Sequence, residues 1–487
     1  MELVVWYRVC FHNSKTDSMS KYFISILAFC SPLYISAQTT EKNFSLEEVL
    51  IMARERNLSL VIAREGITTA NAERQELNSL WYPTLAVTGE YAHSFTEIAA
   101  VTTVGKIGNE LLDNIAPALS GNPVIEDVLN GIGKSQLRIP IMPRNTAEVG
   151  AELAWVVFSG GRRIAASRIA DRVLSVANEQ YNATENGVIL AVAEAYWRLA
   201  LARQLTDVRR SALALHSEHL RQARRLEEEG MINHAERLVA EVACKQSTTL
   251  LASAESEQIV AVKALATLLV TDSLTIIPTT ALSVPHTIPA KEEFFALISE
   301  APTINMLKSG EEIASLTLRA ERSRYLPTIS FIGHQKLWSS GLDKNIFPRT
   351  IVGVGLSWTL FDGLSREGAV ARSKSSLRTA ETSRQKTLQE LYTTIDKCYA
   401  ILTTSLSEYE AQQTTLALAE ELHRTQLRAF AEGMATSTDV VDATQRLSEV
   451  QLAQIETLYT IDTSLATLLT LVGRADSLTT YFTPRKL

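Results

Sequence analysis

The chain has 487 residues, with 47 Lys and Arg against 54 Asp and Glu, a formal net charge of −7. That balance gives no general electrostatic reason to bind nucleic acid or an anionic membrane surface, and the mixed-charge stretches read as solvated helix faces. Only 7% of residues are aromatic, and the 21 Gly and 13 Pro are few and clustered, which suits long helices and excludes a loop-rich or disulfide-built fold.

Residues 1–37 read as an export signal. Met19 is its expected true start: Lys21 is the basic residue, Tyr22 to Ile35 a largely apolar run, and Ile35-Ser36-Ala37 a cleavage site before Gln38. An N-terminal anchor helix is the alternative, but the run is shorter than the ~20 residues a span requires. Cys30 raises the question of lipid attachment, with Phe29 a poor fit to the small residue wanted before it. After the signal only Cys244 and Cys398 remain, without metal-ligand spacing, and both read as packed small hydrophobes.

A helix is expected over roughly Leu46 to Leu80. From Thr84 to Phe95 polarity then alternates strictly, with Leu85, Val87, Tyr91 and Phe95 on one face and Thr84, Thr88, Glu90 and Ser94 on the other. From Glu148 to Phe158 the apolar face is Val149, Ala151, Leu153, Trp155 and Val157. Period two over ~10 residues is the pattern of a membrane-barrel strand, and equally of a half-buried strand in a soluble sheet. Arg162 to Glu229 follows, 68 residues without proline and rich in Ala, Leu, Glu, Arg and Gln. At 1.5 Å per residue such a helix reaches ~100 Å. It ends at Gly230 as a left-handed C-cap would, and a second helix runs back to about Val270.

Thr271 to Pro289 reads as a linker, and beyond it the pattern returns. A helix is expected over roughly Glu292 to Tyr325. Ile329, Phe331 and Leu337 oppose Ser330, His334 and Lys336; Val352, Val354, Leu356, Trp358 and Leu360 oppose Gly353, Gly355, Ser357 and Thr359. Ser365 to Glu432 is a second proline-free stretch of 68, closed by Gly433 and followed by a helix to about Val472. The correspondence is gapless: Gly150, Leu153, Trp155, Phe158, Gly160, Arg163, Tyr196, Glu229, Gly230 and Met231 recur 203 residues later as Gly353, Leu356, Trp358, Phe361, Gly363, Arg366, Tyr399, Glu432, Gly433 and Met434. Two copies of one unit are therefore expected, 44–270 and 291–473, joined by the linker 271–290 and followed by an irregular tail, 474–487. Pro83-Thr84 matches Pro327-Thr328 at offset 244, so the first copy carries the difference, 41 residues, as an insertion within 96–147. No stretch of the mature chain approaches 18 apolar residues, so a membrane crossing there cannot be helical. Nor can four strands close a barrel, whereas three copies supply twelve.

These residues resemble the TolC-like outer membrane efflux protein family over about Phe44 to Gly473. The resemblance rests on Tyr82-Pro83-Thr84-Leu85 with Tyr325-Leu326-Pro327-Thr328, on Trp155-Val156-Val157-Phe158-Ser159-Gly160 with Trp358-Thr359-Leu360-Phe361-Asp362-Gly363, and on the tip Glu432-Gly433-Met434 through Thr438-Asp439-Val440-Val441-Asp442-Ala443. It implies an α+β membrane protein, a homotrimer whose long antiparallel helical hairpins form a periplasmic tunnel under a 12-stranded transmembrane β-barrel in the outer membrane. It further implies an exit duct that docks through its hairpin tips, at Gly230, Met231, Gly433 and Met434, to a periplasmic membrane-fusion adaptor and an inner-membrane RND, ABC or MFS transporter. No enzymatic activity and no cofactor follow.

By the resemblance, Asp439 and Asp442 align with a pair of aspartates lining the tip constriction in the family's best-known member. They lie at i and i+3, on one helical face, and three copies would form a cation-favouring ring. The competing reading makes Asp439 an ordinary acid at a helix N-terminus. That member's gate-closing arginine and tyrosine fall here on Ala435 and Phe430, and in the first copy Glu236 and Val239 stand opposite Asp439 and Asp442. Gly133-Lys134-Ser135 lacks the leading glycine of a phosphate loop. His216 and His219, without a third ligand, read as a solvated helix face. A soluble periplasmic hairpin adaptor or scaffold is the alternative to a channel, although it leaves the strands at matching points of both copies unexplained.

Overall fold

Proline-free runs rich in Ala, Leu, Glu and Gln favour uninterrupted helix, and two helices dominate a computed structural model that describes residues 42–93, 95, 100–103, 136–139, 145–271, 276–340 and 348–482. The expected signal, Cys30, Gly133-Lys134-Ser135 and much of the 96–147 insertion lie outside the described residues. In chain order the elements are β1 (Lys42–Phe44), α1 (Leu46–Arg56), α2 (Leu58–Asn78), β2 (Thr84–His93), β3 (Ala100–Thr103), β4 (Gln136–Ile139), β5 (Asn145–Phe158), α3 (Arg162–Glu228), α4 (His234–Leu268) and β6 (Ile276–Pro278). After these come α5 (Lys291–Leu297), α6 (Pro302–Arg322), β7 (Thr328–Ser340), β8 (Thr350–Ser357), α7 (Ser365–Ala431), α8 (Ser437–Leu471) and α9 (Leu478–Phe482). The helices α3 and α7 have 67 residues each, and α4 and α8 have 35 each.

Four differences from the sequence expectations have clear physical causes. The first helix is two, because Asn57 takes an extended conformation (ψ 125°), caps α2 by accepting from the Ser59 amide, and donates through Nδ2 to the Leu268 carbonyl at 3.0 Å. The helix before β7 is likewise divided, α6 beginning at Pro302, where the absent N–H costs nothing. The linker holds β6, which pairs in parallel with β1; the Tyr196 hydroxyl fastens this ribbon to α3, donating to the Phe44 carbonyl (2.9 Å) and accepting from the Thr280 amide (2.8 Å). The tail is helical through α9, whose Phe482 packs edge-on against the fully buried Trp197, ring centroids 5.0 Å apart.

Around Tyr196 and Trp197 the middle of α3 meets α1, the far ends of α4 and α8, the middle of α7 and α9 in one apolar core. Asp462 of α8 is fully buried there, and neither carboxyl oxygen makes a hydrogen bond. Burial pushes its carboxyl well above the usual range, against a weaker opposing pull from the Ser283 backbone.

Beyond one end of the helices, β2, β5, β7 and β8 form a four-stranded antiparallel sheet in that order. Register puts Leu85, Val87 and Tyr91 beside Leu153, Ala151 and Ala147, and Val354 and Leu356 beside Phe331 and Ile329, on one face. Leu85, Val87, Tyr91, Val352, Val354 and Leu356 are all at least two-thirds exposed, so this face is an uncovered apolar surface. Glu148, Glu152, His334 and Lys336 share the other face. Among the described residues the outer strands β2 and β8 each pair on one side only, which leaves two open edges. Among the described residues no helix is long and apolar enough to cross a membrane. Within the insertion, β3 and β4 pair as a short antiparallel ladder.

Candidate functional site

Two regions position the candidate residues: the junctions where strands give way to long helices, and the hairpin tips at the far end of those helices. Each junction is built twice in the same way. Trp155 Nε1 donates to the Trp81 carbonyl at 3.0 Å, and Trp358 Nε1 to the Tyr325 carbonyl at 3.1 Å. Buried Arg163 donates to the carbonyls of Leu80 (3.2 Å) and Val157 and lies 4.6 Å over the Trp81 ring. Buried Arg366 donates to the carbonyls of Thr359 and Leu360, both at 2.8 Å, and lies 4.9 Å over the Tyr325 ring. A guanidinium has five donors and no acceptor, so it satisfies carbonyls that have no sheet ladder where strand gives way to helix. Around both junctions Trp81, Tyr82, Trp155, Phe158, Tyr325, Trp358 and Phe361 are exposed, as in the aromatic girdle of a membrane barrel.

At the tips both long helices end in the same motif. Gly230 (φ +73°) and Gly433 (φ +76°) occupy the left-handed position that a Cβ would strain. The Met231 amide bonds back to Leu226 and the Met434 amide to Ala429, both at 2.8 Å, closing a Schellman cap. This places Met231 and Met434 outermost, 62% and 73% exposed, on two adjacent apices.

The helices that leave the tips begin differently. In α8, Thr436 is the N-cap and Asp439 closes a capping box: its Oδ2 accepts from the Thr436 amide (2.8 Å) and hydroxyl (2.6 Å), while its own amide bonds to the Thr436 hydroxyl (3.2 Å). These bonds from Thr436 hold the Asp439 carboxyl below its usual range. Asp442, one turn on, is exposed on the same side of α8. Neither aspartate has an ion-pair partner among the described residues. In α4, Asn233 caps alone, accepting from the Glu236 amide at 3.0 Å. The Glu236 carboxylate is thereby released to the other hairpin, where it accepts from the Ser437 amide at 2.7 Å.

Ser437 is fully buried, and its hydroxyl lies 2.7 Å from His219 Nε2 of α3. Contrary to the expectation of a solvated face, His216 and His219 are buried, because α3 packs against α8 on this side. His219 stacks edge-on with Phe430 at 4.6 Å, and its Nδ1 has no partner. Burial, reinforced by His216 and His423 nearby and opposed by the bond to Ser437, lowers its pKa from 6.5 to about 4. His216 is lowered by burial and then by His423, and His423 by burial. Phe430 itself is buried with Leu220, Ala223, Ala240 and Val440, and Ala435 packs against the same cluster, so both residues join the chain's own two hairpins. The sequence singled out Glu236 and Phe430 but not Ser437, which no motif marks. Cys244 and Cys398 are free and half-buried, and burial raises the Cys398 thiol.

An antiparallel sheet with an exposed apolar face, aromatic residues at its base and paired long hairpins beneath it defines the class of TolC-like outer membrane channels. The chain belongs to the outer membrane efflux protein family, whose sequence profile matches residues 130–270 and 296–474. It is similar to the protein CyaE of Bordetella pertussis, 26% identical over 306 residues that cover 60% of this chain and 62% of CyaE, so the match spans about three-fifths of that relative's length. It is also similar to the outer membrane efflux protein BepC of Brucella suis, 22% identical over 68% of this chain and 73% of BepC. Among solved structures, the open state of the Neisseria gonorrhoeae MtrE outer membrane channel shares the fold, with a TM-score of 0.69 and 18% identity over 88% of this chain and 89% of that one.

Proposed function

We propose that the protein is a passive exit duct of the outer membrane, a homotrimer in which three four-stranded sheets close a twelve-stranded barrel above a periplasmic helical tunnel. One observation carries this reading: the sheet has an uncovered apolar face and two unpaired edges, β2 and β8. In hydrocarbon an open edge leaves backbone groups without partners, at several kcal/mol each, so a sheet of this kind is stable in lipid only when other copies complete it. Pairing β8 of one copy with β2 of the next satisfies both edges at once. The division into two copies, 44–270 and 291–473, joined by 271–290, belongs to the same proposal.

The tip apices at Gly230–Met231 and Gly433–Met434 are the docking surface for a periplasmic adaptor and, through it, an inner-membrane pump of the RND, ABC or MFS class. Asp439 and Asp442 form the periplasmic gate's cation ring. Asp439 serves both roles considered for it, since closing a capping box keeps its carboxylate charged and fixed while leaving it exposed. Channel and efflux names attach to the family and its relatives, and no chemistry on a substrate is part of this reading.

The test is the native mass of the mature chain extracted by detergent from the outer-membrane fraction. A trimer is the expected result; a monomer recovered from the soluble fraction would replace the duct with a soluble periplasmic scaffold. For the ring, Asp439→Asn combined with Asp442→Asn should lower cation selectivity and divalent block in single-channel recordings, and unchanged values would remove it.

A further inference from the structure

The polar face of the sheet carries a charged network that none of the tip features accounts for. On β5, Glu148, Gly150 and Glu152 share this face, and on β7, His334 and Lys336 stand beside them. His334 Nε2 lies 2.7 Å from Glu148 Oε1 and Nδ1 lies 3.7 Å from Glu152 Oε1, so one imidazole bridges two carboxylates. Lys336 Nζ is 3.7 Å from the other oxygen of Glu148. From β2, the Thr88 hydroxyl donates to Glu152 at 3.1 Å, and Glu90 stands directly across the ladder from Glu148. The strand β8 adds no charge, since residues 350–357 contain no titratable side chain.

The network is built in, because the imidazole occupies the space beside Gly150 that a side chain there would take. A Cβ there would fall 2.7 Å from His334 Cε1, a distance that real contacts do not reach. The side chains of Glu148, Glu152, His334 and Lys336 are 12–25% exposed, covered by one another yet still wet. Three carboxylates, one ammonium and one imidazole leave the face net acidic whichever state the imidazole takes.

We infer that this network, resting on the duct reading above, is a second charge filter set in the barrel wall, one that favours passage of cationic over anionic solutes and weakens as His334 gains a proton. The filter is separate from the Asp439–Asp442 ring, which sits at the opposite end of the helices. An imidazole is the one side-chain type in this network whose ordinary charge change falls near neutral pH, so a change in the belt's charge there belongs to His334.

The experiment is a reversal-potential measurement in planar bilayers under a KCl gradient, using the full mature chain. Glu148→Gln with Glu152→Gln should lower the K+/Cl− permeability ratio by about two- to fivefold, the scale of unit charges acting through a partly aqueous medium, while Asp439→Asn with Asp442→Asn in a separate variant keeps its own effect. The unmodified channel supplies a second arm: its ratio should fall from pH 8 to pH 6, and His334→Gln should flatten that slope. Normal conductance with an unmoved ratio in the double variant and no slope between pH 8 and pH 6 would overturn the barrel filter alone. Absence of any channel from the unmodified chain would overturn the duct reading and the filter with it.

Discussion

The two strand–helix junctions and the two hairpin tips are each built from residues at equivalent positions, yet the junctions share their main contacts and the tips do not. At both junctions the arginine meets two backbone carbonyls and an aromatic ring, and Arg366 adds an ion pair with Asp362 (3.2 Å) where the first copy has Ser159. At the tips the third residue of each outgoing helix is acidic in both copies, but Asp439 turns back to its own N-cap while Glu236 crosses to Ser437 of the other hairpin. The cause is small: Asn233 caps without help, and glutamate is one methylene longer than aspartate. Matched junctions suit a frame that holds both halves of the chain in one geometry. An asymmetric tip instead gives the two hairpins of one chain a specific, breakable attachment.

The largest effect is expected at the junctions. Arg163→Met and Arg366→Met each remove a buried charged donor and leave carbonyls unpaired, which should cost about 2–4 kcal/mol per site. Thermal unfolding followed by circular dichroism should show similar losses for the two; a large loss from one alone would break the equivalence of the junctions.

At the tips the expected signature is pH. In the unfolded chain His219 takes up its proton near pH 6.5, but in the folded tip only near 4, so unfolding binds a proton between these values. The tip's stability is complete above pH 6.5 and is lost as the pH falls towards 4, by roughly 2–3 kcal/mol for this group. Hydrogen exchange at the amides of 437–440 should accelerate over that window and lose most of its pH dependence in His219→Gln. Asp462 supplies a contrast of opposite sign. Its folded pKa is raised, so its burial destabilises increasingly as the pH climbs above 3.8, and Asp462→Asn should stabilise the chain more at pH 8 than at pH 4.

The smallest effect belongs to the crossing bond itself. Glu236→Gln keeps an acceptor but removes the charge near the N-terminus of α8, and should cost about 0.5–1 kcal/mol, whereas Ser437→Ala, which also abandons His219, should cost about 1–2 kcal/mol. A double-mutant cycle between Glu236 and His219 checks that both act through Ser437. Strict additivity would mean that the two bonds do not share one element.

How far the sequence could be read follows from how local each feature is. The spans of α3 and α7, their glycine caps and the alternation of all four sheet strands were legible because each depends on residues within a few positions of one another. Arg163 and Arg366 were visible as a recurring pair, although not as carbonyl donors. Asn57 was missed because its side chain both caps α2 and reaches Leu268, a pairing across 211 residues. The ribbon of β1 and β6 was missed because strands of three residues carry no period. From sequence alone His216 and His219 read as solvent-facing because their helix is polar on most sides, and only the neighbouring hairpin decides which side is covered.

By itself, then, the sequence determined the long helices, their caps and the strands, since backbone propensity, side-chain period and capping act between near neighbours along the chain. Tertiary structure alone decided that Glu236 would leave its own helix for Ser437, that Phe430 and His219 would seal the seam between hairpins, and that Glu148, Glu152, His334 and Lys336 would converge over Gly150. Those contacts join residues some 180 to 220 positions apart. No local preference encodes them; packing the two halves of the chain together chooses the partners.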